Sequence, residues 1–200
     1  MKPIIFNTDM VRAILDGRKT QTRMLMKEQP PRGDYTLQKK GDKYKWYVVG
    51  GTAFLETQQP WFKPPYQVGD ILYVREPWQP DTCTIWMNGL HPVAYKATDY
   101  MANINRGPYG AHWRPSVQMP KWAARLFLEV TDRRVEQVQD ITFGDAIADG
   151  GFTAHGMRSE SKVWFVELWD SIYAKKGLGW DANPWVWVYT FKIIDKPAEV

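Results

Sequence analysis

Apolar residues recur along this chain with two periods, one helical and one alternating, and together they mark out its elements. Residues 2–6 are a short apolar run that predicts a strand. Thr8 follows as a helix-capping candidate, and Met10, Val11, Ile14 and Leu15 then fall on one helix face. Gly17 ends that helix, because glycine takes the left-handed conformation of a helix terminus without steric cost. Residues 20–26 read as extended, until Pro30, Pro31 and Gly33 break the pattern. Residues 28–65 read as an excursion from the core, in which 43–49 and 52–56 flank Gly50 and Gly51, a two-residue hairpin signal. The excursion is expected to be a decorated surface hairpin, with a binding flap as the second reading.

Gly69 and Asp70 turn the chain into the apolar strand 71–76, a pattern common where a small barrel coils its sheet sharply. Pro77 cannot donate to a ladder, so pairing is expected to stop there and to leave Glu76 at a barrel rim. Residues 91–97 read as a strand, Pro120 opens a short helical turn, and 125–138 reads as one long twisted strand. Thr142 caps a helix that Gly150 and Gly151 stop, with Asp149 in its last turn. Ser159 is expected to cap a stronger helix, on which Phe165, Leu168, Trp169, Ile172 and Tyr173 form one face. Residues 184–194 are nearly all β-formers and predict a central strand. Strands outnumber helices without regular βαβ alternation. The expected class is therefore α+β, a small β-barrel with flanking helices and an inserted β-hairpin, in a single domain over residues 1–200.

Composition narrows this picture. Two hundred residues with 44% apolar content are enough to bury a real core. A net charge of +4 permits a polyanionic partner without demanding one. Eleven Trp, ten Tyr and eight Phe are a heavy aromatic load, open both to base stacking and to extra core packing. Cys83 is the only cysteine, which excludes an internal disulfide and fits a reducing compartment. His91, His112 and His155 show no ligand spacing, so neither a metal nor another cofactor is expected. With no signal-type segment and no window near the roughly 18 apolar residues of a membrane span, the expectation is a cytoplasmic protein without membrane contact.

The densest chemistry lies in residues 15–23, where Arg18, Lys19, Thr20, Thr22 and Arg23 crowd together. A solvated basic turn is one reading. The other is that an ammonium, a guanidinium and two hydroxyls converge on a phosphate or a carbonyl. Residues three apart in a straight strand face opposite sides, so Lys19 and Thr22 cooperate only if the chain bends between them. Asp149 sits unfavourably against its helix dipole and is either held for a partner such as Lys19 or a tolerated surface acid. Glu76 is likewise either a site carboxylate or the partner of an arginine.

The run from Gly17 to Arg23, the turn Val68, Gly69 and Asp70 with its strand to Trp78, the helix at 141–150 and the closing segment 183–191 together resemble an ASCH domain of the PUA-like superfamily. Phage- and prophage-encoded members also carry the segment 113–125 and the motif from Trp169 to Tyr173. The resemblance implies a PUA-like β-barrel with a cleft beside the first helix, and its leading implication is binding of RNA or a modified nucleoside. One small member is similar to an amidohydrolase that deacetylates N4-acetylcytidine with a lysine, a threonine and a glutamate. These fall on Lys19, Thr22 and Asp149, the last one methylene shorter than glutamate, with Glu76 as the second candidate carboxylate. Lys19 would serve as base toward the Thr22 hydroxyl. Arg18, Arg23 and Lys121 would bind the ligand, Arg23 would stabilise an oxyanion, and Trp78 or Trp180 would stack on a base. Other members are similar to RNA-binding proteins or ribonucleases, and a phage-encoded host-interaction protein is the remaining class.

Overall fold

The computed structural model describes residues 1–30, 33–50, 53–80, 93–99, 112–152 and 158–198. The strands are β1 (Lys2–Ile5), β2 (Gln21–Leu25), β3 (Tyr35–Lys40), β4 (Lys43–Gly50), β5 (Ala53–Glu56), β6 (Ile71–Arg75), β7 (Trp78–Pro80), β8 (Val93–Tyr95), β9 (Phe127–Gln137) and β10 (Trp185–Ile194). Three α-helices accompany them among the described residues: α1 (Thr8–Leu15), α2 (Phe143–Ala148) and α3 (Arg158–Tyr173). The main sheet has five strands in the order β1-β6-β9-β10-β2, with β1 and β6 parallel and the other neighbours antiparallel. No hydrogen-bonded pairing joins the edge strands β1 and β2 among the described residues, so this is a mixed sheet rather than a closed barrel.

β10 is central, as its composition predicts. Its Trp187, Tyr189 and Phe191 enter the largest core cluster, while Val186 and Val188 face the cluster of Phe165 and Trp169 from α3. A strand covered on both faces cannot alternate with polar residues, which is why this segment reads as an unbroken β-forming run. α1 buries Val11 and Ile14 completely. Its cap is Asn7, whose side chain accepts from the Met10 amide at 2.8 Å, one residue before the expected Thr8. Thr142 caps α2 as expected, in a reciprocal box with Asp145. α3 begins at Arg158, so Ser159 lies inside its first turn and is not the cap.

The excursion differs from the expected surface hairpin. It is a three-stranded meander, β3-β4-β5, and its tip at residues 51–52 lies outside the described residues. Trp46 is fully buried and Tyr44 and Phe62 nearly so, all three within the main core. Trp46 packs 5.1 Å from Trp185 and donates its indole N–H to the Glu28 carbonyl at 2.6 Å. β3 escapes a sequence reading because Tyr35–Lys40 is mostly polar and only one of its faces meets the core. Pairing also resumes after Pro77, where Trp78 opens β7 against β8. Residues 91–92 of the expected strand, with Cys83, His91 and His155, lie outside the described residues.

Candidate functional site

The site begins where α1 ends. Gly17 takes φ +73°, and the Arg18 and Lys19 amides both return to the Ala13 carbonyl at 2.9 Å. Thr20 then donates to Ala148 O at 2.8 Å, which fastens this turn to the end of α2 before β2 starts at Gln21. Lys19 therefore precedes the strand, which supplies the bend that lets it share a space with Thr22. Both line a cavity of about 400 Å³, together with Arg23 and Asp149. Its remaining wall is largely apolar, built from Ile4, Phe6 and Met10 on one side and from Phe165, Leu168 and Ile172 of α3 on the other.

Lys19 is 3% exposed and its Nζ lies 5.1 Å from the centre of the Phe6 ring. It donates to the carbonyls of Gln21 at 2.9 Å and Asp149 at 2.7 Å, and lies 3.8 Å from Asp149 Oδ1. Burial pushes its pKa from the ordinary 10.5 down to about 8; Asp149 opposes that shift and Arg23 adds to it. Thr22 is buried too. Asp149 is the C-cap of α2 and is followed by Gly150 at φ +113°. A Cβ on Gly150 would lie 3.2 Å from Ala13 Cβ, so this glycine lets α1 and the end of α2 meet at Lys19, while one on Gly151 would lie 2.8 Å from Ala146 O of α2 itself.

Behind the cavity lies an ion-pair network that composition does not disclose. Arg23 Nη1 donates to Asp149 Oδ2 and its Nη2 to Glu136 Oε1. Arg134 bridges Glu136 at 3.0 Å and Asp145 at 2.9 Å. Gln21 Nε2 donates to Asp145 Oδ1 at 3.0 Å. Burial alone would raise the Asp145 pKa, but hydrogen bonds from Thr142 and Gln21, with the Arg23 charge nearby, pull it down to about 2. The sequence signal for the network is faint: polar residues two apart, Gln21 with Arg23 and Arg134 with Glu136, on one face of their strands.

The other candidates lie elsewhere. Glu76 is fully buried away from the cavity and binds Arg125 through both oxygens, at 2.9 and 3.0 Å; of its two readings, the arginine partner is the one present. Arg18 clamps the glycine pair, donating to Gly150 O at 2.8 Å and Gly151 O at 3.2 Å while pairing with Asp16. Trp78 is 3% exposed, covered by the edge of Trp122 and by Arg114, so no face is left to stack on a base. Trp180 packs edge-on against Phe165, and it is Phe165 that lines the cavity. Lys121 is exposed on the turn Lys121–Ala123, outside the cavity.

Among the described residues no group of three or more His, Cys, Asp or Glu side chains could hold a metal ion, and no helix is long and apolar enough to cross a membrane. No family model matches the chain, and neither a curated protein nor a solved structure does.

Proposed function

We propose that the cavity binds an N-acylated nucleoside and hydrolyses its amide, as the resemblance to ASCH domains of PUA-like type suggests. The observation that supports this reading most directly is that Lys19, Thr22 and Asp149 line one largely apolar cavity of about 400 Å³, a size suited to a small molecule. A groove for an RNA backbone is favoured less, because Arg18 and Arg23 beside it are already paired with Asp16, Asp149 and Glu136.

In the proposed reaction the neutral amine of Lys19 takes the Thr22 hydroxyl proton as the oxygen adds to the acyl carbon. The tetrahedral oxyanion collapses, the carbon–nitrogen bond to the base breaks, and the Lys19 ammonium returns its proton to the leaving amine. Water, deprotonated by the same lysine, then adds to the threonine ester; the ester carbon–oxygen bond breaks, the Lys19 ammonium returns its proton to the Thr22 oxygen, and the carboxylic acid leaves. Asp149 orients the ammonium. The two Nη groups of Arg23 are committed to carboxylates, so the oxyanion role expected of Arg23 is not part of this scheme.

The test is hydrolysis of N4-acetylcytidine and a panel of N4-acylcytidines, followed by liquid chromatography. The wild type is expected to turn over at least one of them, and Lys19→Ala and Thr22→Val to lose on the order of 10²-fold or more. A folded wild type inactive on the whole panel overturns the reading; a salt-dependent RNA titration then tests the binding alternative.

A further inference from the structure

We infer that Arg23 is the positioning residue of this site: by holding the Asp149 carboxylate in a buried ion pair, it leaves Lys19 able to give up its proton and act as base. The inference rests on the base role proposed for Lys19, but it makes a claim about that side chain which can be read without any substrate.

The argument starts from alternation along β2, which sends Gln21 and Arg23 to the same side of the strand. The Arg23 side chain is fully buried and sits between Asp149 on one side and Glu136 on the other, with Asp145 Oδ2 at 3.6 Å. Asp149 Oδ2 is held by Arg23 and, at 3.4 Å, by Gln21 Nε2. This leaves Oδ1 as the oxygen nearer Lys19, at 3.8 Å from Nζ and outside hydrogen-bond reach. Lys19 Nζ instead makes its two short contacts to carbonyls, at 2.9 and 2.7 Å. A neutral amine can make both of these bonds with its two N–H groups. The carboxylate is thus close enough to orient a charged Lys19 and too firmly engaged to make that charge permanent.

The remaining network holds Arg23 in place. Arg134 ties Glu136 to Asp145, and Asp145 is fixed in turn by the amide and hydroxyl of Thr142 at the start of α2. Of the other charged or titratable groups that line the cavity, Arg75 turns its guanidinium to the carbonyls of Met119 and Val117. Tyr66 is pushed up to about 12 and Tyr173 is also raised, both chiefly by burial, so both phenols stay neutral. The low pKa of Lys19, to which burial contributes most and Arg23 adds, agrees with this arrangement.

The experiment uses the full chain with lysines labelled with the heavy carbon isotope at Cε, titrated by NMR, with Lys19 identified by the signal missing from Lys19→Ala. In the wild type Lys19 is expected to titrate well below the other lysines. Arg23→Gln is expected to raise its midpoint by about one unit, leaving roughly tenfold less free amine at pH 7. That rise is expected to be smaller in the Asp149→Asn background, where only the direct effect of the Arg23 charge on Lys19 is left to lose; a merely structural arginine would not show this dependence. If Arg23→Gln does not fold, Arg23→Lys carries the same test, because a point charge cannot bridge two carboxylates, and it is expected to raise the midpoint by a smaller step. A Lys19 that titrates with the other lysines in the wild type, or that is unmoved by the folded Arg23 variant, overturns the inference. So does a rise that is undiminished without Asp149. Because the midpoint is read directly, absence of turnover on acylcytidines would count against the proposed reaction and not against the clamp.

Discussion

Lys19 ties stability to pH in a direction opposite to that of most surface lysines. The unfolded chain keeps a pKa near 10.5 whereas the folded site lies at about 8, so between these values the unfolded state binds more protons. Stability therefore rises with pH across that window, and below it the buried ammonium costs on the order of 3 kcal/mol. Burial also raises Tyr66 and Tyr189, which act the other way but only above about pH 10, where their unfolded phenols begin to ionise. Urea unfolding from pH 8 to 10 is expected to show increasing stability in the wild type and no such increase in Lys19→Met. A wild-type profile flat over this range would place Lys19 in water. The chemistry of residues 15–23 was legible in the sequence because the residue types are unusual together. Which of them line the cavity was not, since the partners of Arg18, Arg23 and Glu76 come from distant parts of the chain.

Among the elements, helix ends were the most readable features because their signals are local. Gly17, the Thr142 box and Gly150 lie where a cap or a positive φ is needed. The start of α1 shows how such a signal misleads by one position: Asn7 and Thr8 are both good caps, and only the backbone decides which side chain reaches Met10 N. Asn7→Ala is expected to lose about 1 kcal/mol and Thr8→Ala to stay within roughly 0.5 kcal/mol of wild type, measured by urea midpoints. Gly150→Ala is expected to lose about 1–3 kcal/mol, because its φ of +113° strains any side chain and the new Cβ crowds Ala13. The same variant is expected to disturb the Lys19 titration, since Gly150 also packs on the lysine stem. A fully stable Gly150→Ala would mean that α1 and α2 do not close on one another as described.

For the whole molecule, the excursion decides how the core is built. Trp46 is fully buried against Trp185, and Tyr44 meets Trp187 edge-on at 4.9 Å. Trp46→Ala is expected to lower stability by about 3–5 kcal/mol. A surface hairpin would predict almost no change, so thermal or urea unfolding separates the two outcomes. The mixture of strands and helices, the central place of β10 and the caps of α2 were all present as local periodicity, which depends on residues one to four apart. The open five-stranded order, the burial of the β3-β4-β5 meander and the pairing of Arg23 with Asp149 were not. Arg23 and Asp149 lie 126 positions apart, and the polar face of β3 looks the same whether its other face meets water or Trp46. Side-chain spacing reports the local conformation of a segment, whereas which buried charge is neutralised by which partner depends on how distant segments are brought together in a low-dielectric interior.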